Sequence, residues 1–179
     1  MSSKYSTPSK VPEKGPTGLV FDQLMAQHFD PWDKQVSENP DRLLKSYDRC
    51  QELGLIEKCL QIQSRKATDE ELYLCHDQKY IEVLDDVVSN KSLKEMKDFC
   101  YRNFPSIYMN DKSMECARMA AGCAIELTEA ILNGKIQNGL ALIRPPGHHA
   151  MRNQGCGWCI CNNVAIAGKN KCFFSDDVG

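Results

Sequence analysis

The residues best suited to chemistry lie toward the C-terminal end, in Arg144-Pro145-Pro146-Gly147-His148-His149-Ala150. Two adjacent histidines follow a short apolar run, Leu140 to Ile143, on a segment stiffened by two prolines and released by a glycine. The chain has 4 histidines in all, so half of its imidazoles stand side by side. Unperturbed imidazole titrates close to neutral pH, which makes it the usual proton carrier in catalysis and a common metal ligand. A His pair can equally be a satisfied polar cluster on a loop, and spacing alone does not separate the two readings.

Cysteine offers a second chemistry. The chain carries 10 cysteines, scattered over several expected elements. Cys156-Gly157-Trp158-Cys159 has the spacing of a zinc knuckle or of a redox dithiol. Zinc would need two more ligands, which Cys161 with His148 or His149 could supply. A redox dithiol should follow a strand directly and open a helix, whereas here a polar loop, Met151 to Gly155, comes first. Cys116 and Cys123 fall within one helical pattern among alanines, where Cys serves as a small apolar side chain. Without a secretory signal the set is read as mostly reduced thiols.

The chain has 179 residues, enough for one domain with a real core. Hydrophobic residues make up 42% and charged residues 26%, which argues against general disorder. A net charge of -2 is too small for a nucleic-acid clamp or a polybasic membrane surface. No apolar run reaches transmembrane length, so neither nucleic acid nor membrane is an expected partner. The default is a soluble intracellular protein.

The elements that must position the histidines can be read in order. Residues 1–16 form a tail rich in Ser, Lys and Pro, expected to be disordered. Thr17 to Asp22 reads as a strand and Gln23 to Ser37 as mostly loop. Asn39 as N-cap, Pro40 at the first helical position and Gly54 as C-cap frame a helix. Cys59 to Gln63 alternates like a half-buried strand. Thr68 to Glu71 is a capping box opening a short helix, and His76 to Ser89 a second one with Ile81, Leu84, Val87 and Val88 on its apolar face. His76 is expected to pack or cap between these helices. Lys94 to Cys100 is a further helix, followed by a loop over Tyr101 to Lys112. Ser113 to Leu132 is the longest helix, its inward side made of Ala117, Ala120, Ala121, Ala124, Ile125, Thr128 and Ile131 or Leu132. Gly139 to Ile143 reads as a strand buried on both faces, and Asn162 to Ala167 as the opening of another helix. Strands separated by helices predict an α/β fold with a mostly parallel sheet. Ligands of such sheets bind beyond the carboxyl ends of the strands, which is where His148 and His149 fall.

With the site in that position, the ordered motifs identify a resemblance. Arg144 to Ala150 resembles the R-P-P-G-H-H-A signature of zinc-dependent histone deacetylases. Gly155 to Ala167 is similar to that family's G-F-C-x-x-N-x-V-A-x-A segment. Thr17 to Asp22, Glu52 to Leu55, Cys75-His76 and Ser106 to Tyr108 resemble the class IIb, tubulin-deacetylase-like branch. The resemblance covers residues 17–167 and implies the N-terminal part of an arginase/deacetylase-like fold, with helices flanking the sheet. It implies that His148 and His149 are the tandem catalytic histidines beside a metal-bound water, one taking its proton and the other stabilising charge or protonating the leaving amine. It implies substrate-binding roles for three further residues: Gly157, whose carbonyl would lie near the acyl-lysine amide; Trp158, a tunnel wall where the family usually has Phe; and Ser106, a hydrogen-bond partner of the substrate amide. The implied cofactor is zinc, and the implied substrate an acetylated protein such as histone or tubulin. A place in a protein complex and residence in the nucleus, the cytoplasm or both are implied as well.

The family's zinc ligands lie in a D-x-D-x-H-H-G motif and a later Asp. The sequence as it stands reaches Gly179 without either, and residues 168–179 diverge from the family pattern. Asp176-Asp177-Val178-Gly179 has no following His, so no metal ligand is assigned, and this chain alone is expected to hold no zinc. The alternative function is a non-catalytic deacetylase fragment acting as an interaction module or lacking a role. A chain of this extent should also leave the strand at Leu140 to Ile143 short of a neighbour, so it is expected to be poorly soluble or partly molten. A sharp, cooperative thermal melt of the monomer would count against that.

Overall fold

Continuous apolar character at Leu19 and Val20 places Thr17–Phe21 (β1) at the centre of a parallel sheet. The computed structural model describes residues 15–174; the expected tail, apart from Gly15 and Pro16, and Asp176 to Gly179 lie outside them. Among the described residues the sheet has the order β2-β1-β3, with β2 at Leu60–Gln61 and β3 at Asn138–Leu142. β3 runs alongside β1 from Thr17 opposite Asn138 to Phe21 opposite Leu142. The carboxyl ends of both strands therefore point the same way, toward the histidine loop.

Helix α1 (Asp41–Glu52) starts as its sequence dictates. Pro40 has helical dihedrals, φ -55 and ψ -31, and Asn39 Oδ1 accepts from the Asp41 N–H at 3.0 Å. It ends in a Schellman motif: Gly54 sits at φ +62, its N–H donates to Gln51 and that of Leu55 to Cys50. Helices α2 (Asp69–Tyr73) and α4 (Leu93–Asn103) both open on capping boxes, Thr68 with Glu71 and Ser92 with Glu95. Helix α3 (Gln78–Asn90) buries Tyr80, Ile81, Leu84 and Val87.

Helix α5 (Ser113–Leu132) organises the rest. One side, with Met119, Ala120, Cys123 and Leu127, packs on the sheet with Val20, Ile62 and Ile136. The opposite side, with Met114, Ala117, Ala121 and Ile125, meets Ile81 and Leu84 of α3 and Ile166 of α6 (Asn163–Phe174). A helix that is apolar on nearly every side is a helix between two layers. Gly122 belongs to that close packing, since a Cβ there would stand 2.0 Å from the Arg65 carbonyl oxygen. The layers are tied at the surface by Arg118, which bonds Asp69 and Asp85 at 2.5 Å each.

Three expectations are corrected. β3 is an edge strand among the described residues, pairing β1 alone, and Leu140 is 48% exposed rather than buried on both faces. The strand expected over 59–63 shrinks to two exposed residues, because Ile62 alone turns into the core. Ile131 and Leu132 point outward, at 39% and 63% exposure, on the last turn of α5. Within Gln23 to Ser37, expected to be mostly loop, Gln23–Gln27 forms a 3-10 turn capped by Asp22.

Candidate active site

The loop after β3 is anchored before it reaches the histidines. Arg144 is buried, and its guanidinium uses all five N–H groups. Nε and Nη2 grip the two oxygens of Glu38 at 3.1 and 2.8 Å. Nη1 donates to the carbonyls of Met25 at 3.0 Å and His28 at 2.5 Å, and Nη2 also donates to the Tyr108 hydroxyl at 3.0 Å. The Tyr108 hydroxyl lies 2.6 Å from the Glu38 carbonyl oxygen. His28 stacks on the Tyr108 ring at 4.5 Å, and its Nδ1 lies 2.8 Å from Ser113 Oγ. Ser113 Oγ accepts from the Asn110 N–H at 2.8 Å, and the Asn110 side chain donates to the Gln27 carbonyl at 2.9 Å. Burial, and then the Arg144 charge, hold His28 well below the usual histidine range, so it is neutral here. One buried network thus rivets the segment after β1, the segment before α1, the loop before α5 and the loop after β3.

Beyond that anchor the chain returns to the surface. His148 and His149 are both exposed, with ring centroids 4.1 Å apart and planes at 57°. Beside them Cys156 to Cys159 makes a tight hairpin turn. The Cys156 N–H donates to the Cys159 carbonyl at 3.1 Å and the Cys159 N–H to the Cys156 carbonyl at 2.9 Å. Both central residues are left-handed, Gly157 at φ +53 and Trp158 at φ +62, as a type I′ turn requires. Gly157 has a second reason to be glycine, because a Cβ there would come within 3.0 Å of His149 Cδ2. The turn is braced from outside: the Gly157 N–H donates to the Pro105 carbonyl at 3.0 Å and the Trp158 N–H to the Ser106 carbonyl at 2.7 Å. Ser106 is itself left-handed, at φ +54. Two non-glycine residues in that sparse region, bonded to each other, mark a conformation that surrounding contacts enforce. A recess of about 470 Å³ opens beside Ser106, between Trp32, Tyr101 and Phe104.

All five residues singled out by the sequence therefore stand in one continuous set: His148 against His149, His149 against Gly157, and Trp158 bonded to Ser106. His76 is not among them. It is buried, with Nε2 accepting the Asn162 N–H at 2.9 Å and Nδ1 lying 3.2 Å from the Arg152 carbonyl, which puts its proton on Nδ1. Burial lowers its pKa, and the ring ties the start of α6 to the α2–α3 junction. Asn162 in turn caps α6, accepting from the Ala165 N–H at 3.1 Å.

The sequence reading did not assign Glu38, Tyr108, His28, Ser113 and Asn110 to the site. Arg144 was the available signal, since an arginine at the end of a core strand needs a carboxylate and Glu38 precedes Asn39-Pro40. The two cysteine alternatives fare differently from the histidines. Cys156 and Cys159 close a hairpin instead of opening a helix, which removes the basis of a thioredoxin-like dithiol. Among the described residues no three or more His, Cys, Asp or Glu side chains are grouped to hold a metal ion, whereas zinc takes four ligands, or three and a water. The residues described here do not make a zinc site by themselves.

The family model described as the histone deacetylase domain matches residues 36–171. Polyamine deacetylase HDAC10 of Homo sapiens is 39% identical over 155 residues, which cover 84% of this chain and 23% of that protein. Histone deacetylase 18 of Arabidopsis thaliana is 35% identical over 150 residues, 84% of this chain and 22% of that protein. In the crystal structure of the HDA15 HD domain, a similar fold covers 90% of this chain and 44% of that one, with a TM-score of 0.76 and 29% identity. The chain thus spans about a quarter of the length of the curated relatives it matches. The match to the family model and the fold agree with the ordered motifs: this chain belongs to the histone deacetylase family.

Proposed function

We propose that the chain supplies the histidine side of a deacetylase centre that hydrolyses the amide of an acetylated lysine or a similar acetylated amine. The observation that carries this is the contact set His148, His149, Gly157, Trp158 and Ser106, drawn together from the connection between β3 and α6 and the loop before α5. In this reading the two imidazoles accept and return the proton of the attacking water. The Gly157 carbonyl and the Ser106 side chain take the substrate amide, and the Trp158 indole forms an apolar wall for the methylenes. Zinc, the family's Lewis acid and water activator, would complete such a centre. The residues described here offer no ligand set for it.

The finer assignment to class IIb rests on the Thr17 to Asp22 and Ser106 to Tyr108 segments, and the HDAC10 relatives support that branch. Relatives named for polyamines and for histones both occur, so acetylated polyamine stands beside acetylated histone or tubulin as a substrate class. A deacetylase of this type acts in the nucleus, the cytoplasm or both, within a protein complex. No helix among the described residues is long and apolar enough to cross a membrane.

Among the described residues no three His, Cys, Asp or Glu side chains group to hold a metal ion, which leaves a second reading open, an acetyl-amine-binding module without turnover. Titration of the full chain with an acetyl-lysine peptide and with an N-acetylated polyamine, followed by NMR, tests both. Shifts confined to the 105–106, 148–149 and 157–158 segments and reduced by His149→Ala support the site. Acetate release in added zinc separates enzyme from module: none is expected, and turnover lost in His149→Ala would establish catalysis. Shifts only elsewhere on the chain would reject the site.

A further inference from the structure

The hairpin that carries Gly157 and Trp158 is closed by two cysteines that the deacetylase reading leaves without a task. Cys156 and Cys159 exchange both backbone hydrogen bonds, so they are directly opposed residues of an antiparallel pair. Opposed residues of this kind have Cα atoms about 5.5 Å apart and side chains on one face of the hairpin. That separation lies within the span of about 4.4–6.8 Å that a disulfide bridges. Both are free thiols here. We infer that Cys156 and Cys159 are a reversible oxidation site, converted by hydrogen peroxide or a similar small peroxide into an intramolecular disulfide across the turn.

The two thiols are unequal, which sets the order of events. Cys156 is half-buried and open to a small oxidant, whereas Cys159 is buried. In the first step the Cys156 thiolate attacks one peroxide oxygen and the O–O bond breaks. The sulfur becomes a sulfenic acid, and the released hydroxide takes the proton the thiol gave up, leaving as water. In the second step Cys159 sulfur attacks Cys156 sulfur and displaces its hydroxyl, which leaves as a second water with the Cys159 proton. Two electrons pass from the thiols to the peroxide, and a dithiol reductant reverses the change. Burial pushes the Cys159 thiol up, but the backbone amides of His149 and Ala150 face its sulfur and favour the thiolate. Cys161, the other thiol in the segment, is buried and pushed up to about 12, which makes it the poorer competitor.

The same contacts give the bond a consequence. Cys159 sulfur now sits against the His149–Ala150 backbone, and bonding to Cys156 would draw it toward the opposite side of the turn. Gly157 touches the His149 ring, so a stiffened turn would change how the histidine pair is held. The proposal stands on the turn geometry and does not depend on the deacetylase reading.

The test uses the full reduced chain, treated with graded hydrogen peroxide, alkylated, digested and mapped by mass spectrometry. The expected first product is a Cys156–Cys159 bridge, seen as loss of two hydrogens, reversed by dithiothreitol and about tenfold ahead of any other cysteine pair. Cys161→Ala should retain it, and Cys156→Ser should abolish it. In urea the preference should disappear, which ties it to the folded turn and not to sequence proximity. A first bridge that uses Cys161, a Cys156 sulfinic acid beside a free Cys159, or an unchanged preference in urea would each overturn the proposal.

Discussion

Arg144 and His149 are five residues apart, yet they inhabit opposite environments. Arg144 is buried with every donor matched, and it ties its own loop to three other chain segments through Glu38, Tyr108 and the carbonyls of Met25 and His28. His149 lies exposed on a short turn closed by the Ala150 N–H, which donates to the Gly147 carbonyl at 3.1 Å. The contrast shows a division of labour within one loop. The costly buried charges fix where the loop leaves the sheet, so the histidines can remain accessible without wandering. A reactive pair placed directly in the core would need the desolvation offset that only the anchor now receives.

Breaking the anchor should have the largest effect. Glu38→Ala leaves the guanidinium buried and unpaired, and the expected loss is about 3–5 kcal/mol, enough to unfold a marginal domain. Chemical denaturation would measure it. Arg144→Lys should fall close behind, because an ammonium has three donors for five positions. An Arg144→Lys chain as stable as the parent would show that the fork geometry is unimportant.

Acid should weaken the fold through its two buried histidines. His28 and His76 both have folded pKa values below the unfolded value, through burial. The unfolded chain therefore binds more protons below about pH 6.5, and stability falls with falling pH from there. The expected slope is about 1.4 kcal/mol per pH unit for each histidine. Asp85, raised by burial against the pull of Arg118, acts in the opposite sense, but over a lower pH range. Urea midpoints between pH 7.5 and 5.5, compared with those of His28→Gln, would separate the His28 share, and a flat profile would contradict its burial as a neutral ring.

The turn is the weaker element, and Gly157→Ala probes it. A Cβ in left-handed backbone, 3.0 Å from His149 Cδ2, should cost about 1–2 kcal/mol and displace the imidazole. The displacement would be read from His149 NMR shifts and the stability from thermal melting. His148→Ala and His149→Ala come last: both side chains are exposed, so each should change stability by no more than about 0.5 kcal/mol. Any larger loss would mean that the pair also supports the fold.

The helices were the most legible part of the molecule. Pro40 with Gly54, and Thr68 with Glu71, state their own boundaries through local geometry, and the structure uses them as written. The histidine pair was legible for a similar reason, since a short motif at the end of a strand occupies the place where α/β sheets bind ligands. Burial was less legible. The apolar run Gly139 to Ile143 reads the same in a central or an edge strand, and only the strand order shows that Leu140 faces solvent.

The sequence by itself determined the α/β plan, the helix ends, and the five residues that meet near the histidines, because propensity, capping and motif act over a few neighbouring positions. The tertiary structure decided what stands behind them. Glu38 and Arg144 are 106 positions apart, and no local pattern announces that they share a buried bond. It also decided the meaning of Cys156-Gly157-Trp158-Cys159, whose spacing fits a knuckle, a helix start or a hairpin. Long-range contacts with Pro105, Ser106 and His149 hold it in the hairpin, since the energy of a left-handed turn must be offset from outside the turn itself.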